Sequence, residues 1–267
     1  MAIHPSAFID PQADVHPQAE IGPMVVVSGA VTIGADTIVD PFVHILGHTT
    51  IGTGCRVHSG AVIGDLPQDR QYAGGESYCR IGDDTIIREG ATIHRGTAAG
   101  SITTVGDRCY IMANAHVAHN CTVGDDVTLV NGALLGGYVS VGAKTIISGN
   151  VGIHQFVRIG ELAMVGALAK VTQDIPPFML VGRDGRCEGP NTIGLRRAGF
   201  PIAERDAVKT AYRILYRDGL SREDAITFLT KIQHIFVIQR LLYFLDGSSL
   251  RGISGGPRLA AGIAECA

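Results

Sequence analysis

Aliphatic residues recur at every sixth position over most of this 267-residue chain. From Ile9 the steps fall on Val15, Ile21, Val27, Ile33, Val39, Ile45, Ile51, Val57 and Ile63. The same phase resumes at Ile81, Ile87 and Ile93, and runs again from Val105 through Ile111, Val117, Val123, Leu129 and Leu135 to Val171. Only Asp69, Gly75 and Ala99 break the Ile, Val or Leu pattern in this span. A helix needs an apolar period near 3.6 and a half-buried strand one near 2, so a period of six belongs to neither. It fits a coiled β-solenoid built of hexapeptides.

A second regularity sharpens the reading. The residue four places after each aliphatic slot is small or β-branched, as at Ala13, Ala19, Val25, Thr37, Ala61, Thr85, Ala115 and Ala133. In an extended segment those two positions lie on one face, so each hexad offers one large and one small residue to a narrow interior. Glycine often follows the aliphatic slot directly (Gly22, Gly34, Gly52, Gly82, Gly106), and the reading assigns it to corners that need a permissive backbone. The expected fold class is all-β, a parallel β-helix of hexapeptide repeats with a small helical C-terminal domain.

The pattern divides the chain. Residues 1–177 form the solenoid, with loops ejected near 64–80 and 94–104, because the period returns in phase after each interruption. Pro176 and Pro177 end it by removing ladder donors. Residues 178–200 read as an irregular connector. Helical spacing then appears, with Val208, Ala211, Tyr212 and Leu215 on one face, and Ser221 opening an S-x-x-D cap. The helical domain is assigned to 201–246 and a frayed Gly- and Ala-rich tail to 247–267.

Composition removes several function classes. A net charge of −3 gives no case for nucleic acid or an anionic membrane as an obligate partner. No apolar run is long enough to span a bilayer, and the first residues lack a basic segment followed by an apolar stretch. The six cysteines show no C-x-x-C pairing, and Cys55, Cys109 and Cys121 fall on the small slot, where a free thiol packs as a small hydrophobe. A reduced, cytoplasmic setting is the expectation.

The chemistry-bearing residues concentrate in the middle coils. Of ten histidines, His94, His116, His119 and His154 lie there, and Asn114–Cys121 is the densest polar segment. Two histidines in one hexad turn beside an ejected loop suit a general base, since imidazole titrates near neutrality.

Six stretches carry a resemblance: QDRQYAG, TIHRGT, NAHVAHNCTVG, GIHQFVRIG, TQDIPPF and LRRAGF. With them the chain resembles the bacterial UDP-N-acetylglucosamine O-acyltransferases that open lipid A biosynthesis. The resemblance implies a left-handed β-helix and a homotrimer with active sites between subunits. It implies transfer of a 3-hydroxyacyl chain from acyl carrier protein to the sugar 3-hydroxyl, with no cofactor or metal. By the same match His119 is the general base, with Asn120 beside it. His94, His116, His154 and Gln155 meet the substrate or its acyl chain, and Gln68, Asp69 and Gln71 lie in the loop that reaches the nucleotide sugar. Asn191 and Arg197 fall near the nucleotide, and Ala167 and Leu168 at the far end of the acyl chain.

The sequence departs from the family at Asn120, where an Asp is usual, and at Gln71, Tyr138, Ile193 and Ala198, which replace a Lys, a His, a Glu and an Arg. Ala167 stands where long-chain members carry a second Gly. These departures keep open an acceptor other than the usual nucleotide sugar, and a non-catalytic trimeric scaffold. A zinc site of the kind found in solenoid carbonic anhydrases needs three convergent imidazoles and an open position, and the H-x4-H spacing for it is missing.

Overall fold

The computed structural model describes residues 2–257. Three sheets of 11, 9 and 8 strands, parallel except for the last strand of the first, form the walls of a left-handed β-helix, the architecture that the hexapeptide period and the family resemblance imply. We call them faces A, B and C in that order. Most strands are two residues long, and each pairs with the strand three places on, as in Glu20↔Ile38 and Ile38↔Arg56 on face A. One coil is therefore three hexads. The aliphatic slots all point inward: Ile33, Ile45, Ile63, Ile87, Ile93 and Ile111 are at most 1% exposed. Burying each such side chain contributes about 1.5–3 kcal/mol before chain entropy is counted.

The small slot does more than fill space. Thr37, Thr85 and Thr145 donate from Oγ1 to the carbonyls of Gly52, Gly106 and Gly160 at 2.8, 2.9 and 2.9 Å. Cys55, Cys109 and Cys121 place Sγ 3.1 Å from the carbonyls of Gly82, Gly124 and Gly136. Thiol and hydroxyl thus do the same work, each satisfying a carbonyl in the next coil.

The glycines of these turns serve a different purpose from the one the sequence suggests. The left-handed backbone position of a corner lies two residues later and is held at most corners by residues with side chains, among them Asp36, Asp84, Asn114, Asn120 and Tyr138, and by glycine at Gly54, Gly60, Gly90 and Gly132. A Cβ built on Gly34 would stand 2.6 Å from the carbonyl carbon of Gly52, and one on Gly82 at 2.6 Å from that of Gly106. Glycine is required there because consecutive coils touch.

Both loops are shorter than the sequence reading. Val62–Asp65 and Tyr78–Ile81 are paired strands, as are Thr92–His94 and Ile102–Val105, so the ejected segments are 66–77 and 95–101. The connector is not irregular. Met179–Val181 extends face A beyond the paired prolines, and Cys187–Pro190 pairs back on it antiparallel. Pro177 occupies a corner, where no ladder donor is needed. Helix α1 (Thr192–Arg197) follows, then α2 (Ile202–Tyr216), α3 (Arg222–Thr230) and α4 (Phe236–Asp246).

The segment after α4 is not frayed over its described part. Ile253 bridges to Asp174, Ser254 Oγ donates to the Gly185 carbonyl, and Arg251 Nε donates to the Gln155 carbonyl. Residues 258–267 of the proposed tail lie outside the described residues. Asp174, fully buried, anchors this strap: its carboxylate accepts from Arg158 N at 2.8 Å and Arg158 Nε at 2.7 Å. Apolar pattern alone misses such a strap, because backbone pairing and one buried ion pair hold it.

Removing one partner of a buried pair leaves the other uncompensated. Asp174→Ala is expected to destabilise the protein by about 3–5 kcal/mol. Urea unfolding checks this, with release of the strap read as faster hydrogen exchange at Ile253 and Ser254.

Candidate active site

Three structural sources converge on one cavity of about 540 Å³. The outer column of face B supplies its floor, with Thr92↔His116↔Leu134↔Gly152↔Lys170 in register. Corner residues supply His119, His154 and Gln155. The first ejected loop supplies Gln68, which lines the cavity, and Asp69, whose Oδ2 stands 3.8 Å from His119 Nε2. Gln71 is exposed on the same loop, its N–H bonded to Asp69 Oδ1, and does not line the cavity.

His119 is 8% exposed, and its two ring nitrogens have different surroundings. Nδ1 lies 2.8 Å from Thr97 Oγ1 and 3.0 Å from Asn120 Oδ1. Nε2 faces Asp69 and the cavity. A Cβ added to Gly137 would stand 2.5 Å from His119 Cε1 and 2.6 Å from Nε2, so this glycine keeps the reactive edge of the ring clear. Tyr138 meets the imidazole edge-on at 5.3 Å between centroids and stacks on Phe156 at 4.9 Å. Tyr138, where the family has a His, therefore gives this site an aromatic wall.

The other two central histidines are held neutral. Burial lowers the pKa of His94, further lowered by His119, against the opposing charge of Asp65. Burial, with His94 and His119 nearby, brings His116 down to about 4. His116 Nδ1 lies 2.7 Å from Thr92 Oγ1, and its ring meets His94 edge-on at 5.1 Å. His94 is 5% exposed and its Nδ1 has no hydrogen-bond partner among the described residues. Neutral imidazoles of this kind can donate or accept without adding charge beside His119.

The remaining expected residues lie elsewhere in the single chain. Asn191 caps α1, accepting from Gly194 N, and with Arg197, Ile193 and Ala198 lines a second cavity of about 520 Å³ beside face A. Ala167 and Leu168 sit on an exposed corner and line neither cavity. Thr97 and Gly137 were not singled out from sequence. Thr97 belongs to the TIHRGT stretch, which is the signal that could have found it. Among the described residues no group of His, Cys, Asp and Glu is placed to hold a metal ion.

A parallel β-helix with a histidine cavity on one wall defines a class, the hexapeptide-repeat transferases. The bacterial transferase hexapeptide (six repeats) model matches residues 30–65 and 102–137. The model described as UDP N-acetylglucosamine O-acyltransferase, domain 2, matches 174–254. An acyl-[acyl-carrier-protein]–UDP-N-acetylglucosamine O-acyltransferase of Xanthomonas oryzae is 46% identical over 226 residues, covering 84% of this chain and 86% of its own. The Synechocystis protein of the same name is 43% identical over 212 residues, covering 79% and 77%. The structure of the Francisella novicida UDP-N-acetylglucosamine acyltransferase superposes with a TM-score of 0.92 at 38% identity, covering 96% of this chain and 95% of that one. This chain belongs to the UDP-N-acetylglucosamine O-acyltransferase family.

Two outcomes follow from this geometry. Gly137→Ala puts a methyl against the reactive edge of His119 and should lower turnover on the order of 10²-fold, with an unchanged circular dichroism spectrum. The second concerns pH. His116 titrates near 4 in the folded protein, below its ordinary 6.5, so the unfolded chain takes up that proton first as pH drops. The stability contributed by neutral His116 is complete above pH 6.5 and is lost as pH falls toward 4. Scanning calorimetry at pH 7 and pH 4.5 should show a smaller drop in Tm for His116→Gln than for the wild type.

Proposed function

We propose that this protein transfers an acyl chain from acyl carrier protein to the 3-hydroxyl of UDP-N-acetylglucosamine, the first step of lipid A biosynthesis. The observation that carries the reading is His119, with Nδ1 engaged from behind and Nε2 open to a cavity walled by polar groups and a short apolar groove. His119 Nε2 takes the proton of the sugar hydroxyl as its oxygen bonds to the thioester carbonyl carbon. The tetrahedral intermediate collapses by breaking the carbon–sulfur bond, and the imidazolium returns the proton to the departing thiolate. Ester and thiol are the products, and the base is regenerated.

The groove running from His116 past Leu134 and Gly152 to Lys170 suits the acyl chain, because its middle is apolar and lacks a side chain at Gly152. Ala167 and Leu168 bound it only if a neighbouring subunit closes the exposed corner. Asn191 and Arg197 suit the nucleotide. Ile193 and Ala198 in their cavity favour a second reading, the same chemistry on an altered nucleotide sugar, such as an amino-sugar.

We place the working site between subunits of a homotrimer. The outer column of face A is rich in apolar side chains, with Ile38, Ile86, Ile146, Met164 and Leu180, whereas face C presents Asp14, Thr32, Thr50, Arg80, Thr104 and Ser140. Laying face A of one subunit against face B of the next brings the nucleotide cavity to the His119 cavity. A head-to-tail contact of this kind closes into a ring when each subunit is turned by a third of a revolution. Among the described residues no helix is long and apolar enough to cross a membrane.

His119→Ala should lower transfer on the order of 10²–10⁴-fold, measured with a 3-hydroxyacyl carrier protein and UDP-N-acetylglucosamine. Arg197→Ala should raise KM for the nucleotide sugar. If sites are shared, co-refolded mixtures of the two variants, assayed at low nucleotide sugar, exceed the summed rates of the separate variants. Additive rates in the mixture would place each site within one subunit.

A further inference from the structure

We propose that Thr97, on the second ejected loop, is the positioning residue that fixes the tautomer and ring orientation of His119. This rests on the reading of His119 as the base. Two bonds from Thr97 act together. Its backbone N–H donates to Asn120 Oδ1 at 3.0 Å, and its Oγ1 lies 2.8 Å from His119 Nδ1. An N–H meets only an acceptor, so the first bond decides which end of the Asn120 amide faces the histidine. That end is the oxygen, 3.0 Å from the same Nδ1. An amide oxygen cannot donate, so this contact is a hydrogen bond only in the tautomer with the hydrogen on Nδ1, and a protonated Nδ1 has no lone pair to receive the threonine proton. Thr97 Oγ1 is thereby an acceptor as well. Nε2 is left with the lone pair and faces Asp69 and the cavity.

The loop is built to hold this clamp. Arg95 N–H donates to the Asp65 carbonyl at 3.1 Å, Gly96 N–H to Tyr78 at 3.2 Å and Gly100 N–H to Glu76 at 2.8 Å. All three acceptors lie on or beside the first ejected loop, so the loops brace each other. The opposite partner is equally fixed, since Asn120 N–H donates to the buried Thr103 Oγ1 at 2.7 Å. The clamp matters more in this chain because Asn120 carries no charge. A carboxylate at that position would hold the Nδ1 proton unaided, whereas two neutral acceptors are needed to do it here.

Thr97→Val keeps the backbone N–H, and with it the Asn120 orientation, and deletes only the hydroxyl. The expected result is a loss in kcat on the order of 10²-fold, with KM for both substrates within about threefold. Thr97→Ser should recover most of the rate. In an Asn120→Asp background the same Thr97→Val change should cost less than about fivefold, a coupling that a merely structural role would not produce. The tautomer is read without substrate from imidazole ¹⁵N signals of histidine-labelled protein, assigned by their loss in His119→Gln. Wild type should show a protonated Nδ1, and Thr97→Val a mixture with protonated Nε2. A retained Nδ1 proton with unchanged kcat in folded Thr97→Val overturns the proposal. A wild type with the stated tautomer but no acyl transfer overturns the assigned reaction and leaves the clamp standing.

Discussion

Coil-to-coil contact is the constraint on which the rest of this molecule depends. The interior is so narrow that each hexad admits one aliphatic side chain and one small one, and successive coils approach until their backbones touch at Gly34, Gly52 and Gly82. Strands of two residues have little stability of their own. They persist because all but the terminal ones are paired on both sides and because each inward residue rests on Ile, Val or Leu above and below. A threonine or cysteine in the small slot then satisfies a carbonyl that the corner leaves open. A polar residue is tolerated in this core because its one donor has a fixed acceptor.

The same rigidity explains how a site can be built on so regular a scaffold. Insertions are accepted only where the chain leaves and re-enters in register, and both loops do so between paired strands. Loops braced in this way carry Asp69 and Thr97 to a histidine that a corner of the scaffold supplies. Outward columns do the complementary work: one column contributes His116, Leu134, Gly152 and Lys170 at successive levels, so a groove follows from register.

Electrostatics in the site follow from packing. His94 and His116 lose water and crowd one another, which keeps them uncharged, while His119 keeps a polar partner on each side. The substitution of Asn for the family's Asp at position 120 removes a charge from this arrangement without removing an acceptor. Tyr138 and Phe156 add an aromatic wall that reaches the C-terminal strap, since the Arg251 guanidinium lies over Phe156 at 5.8 Å.

The sequence alone determined a solenoid interior of one large and one small residue per hexad and the change to helical spacing after it, because periodic burial leaves a periodic trace; three hexads to a coil came with the family resemblance. It also pointed to His119, through local density of polar residues and the family stretches around it. Tertiary structure decided what depends on contacts across coils. Val62 pairs with Thr92 and Thr92 with His116, 30 and 24 positions on, because the insertions lengthen those coils. No fixed spacing therefore announces that Thr97 lies against His119, 22 positions on, whereas Gly137 stands one regular coil of 18 residues after His119 and only the ring's orientation requires it to lack a side chain. The glycines after the aliphatic slots looked like corner residues, although crowding between coils is what requires them. The strap at 251–256 and the strands in 178–190 leave no hydrophobic period, because backbone pairing holds them, the strap to an Asp174 that is itself paired with Arg158 and the strands to face A. Asn191 and Arg197 stand on a different wall from His119, a separation set by the number of coils and faces between them, which one-dimensional spacing does not encode.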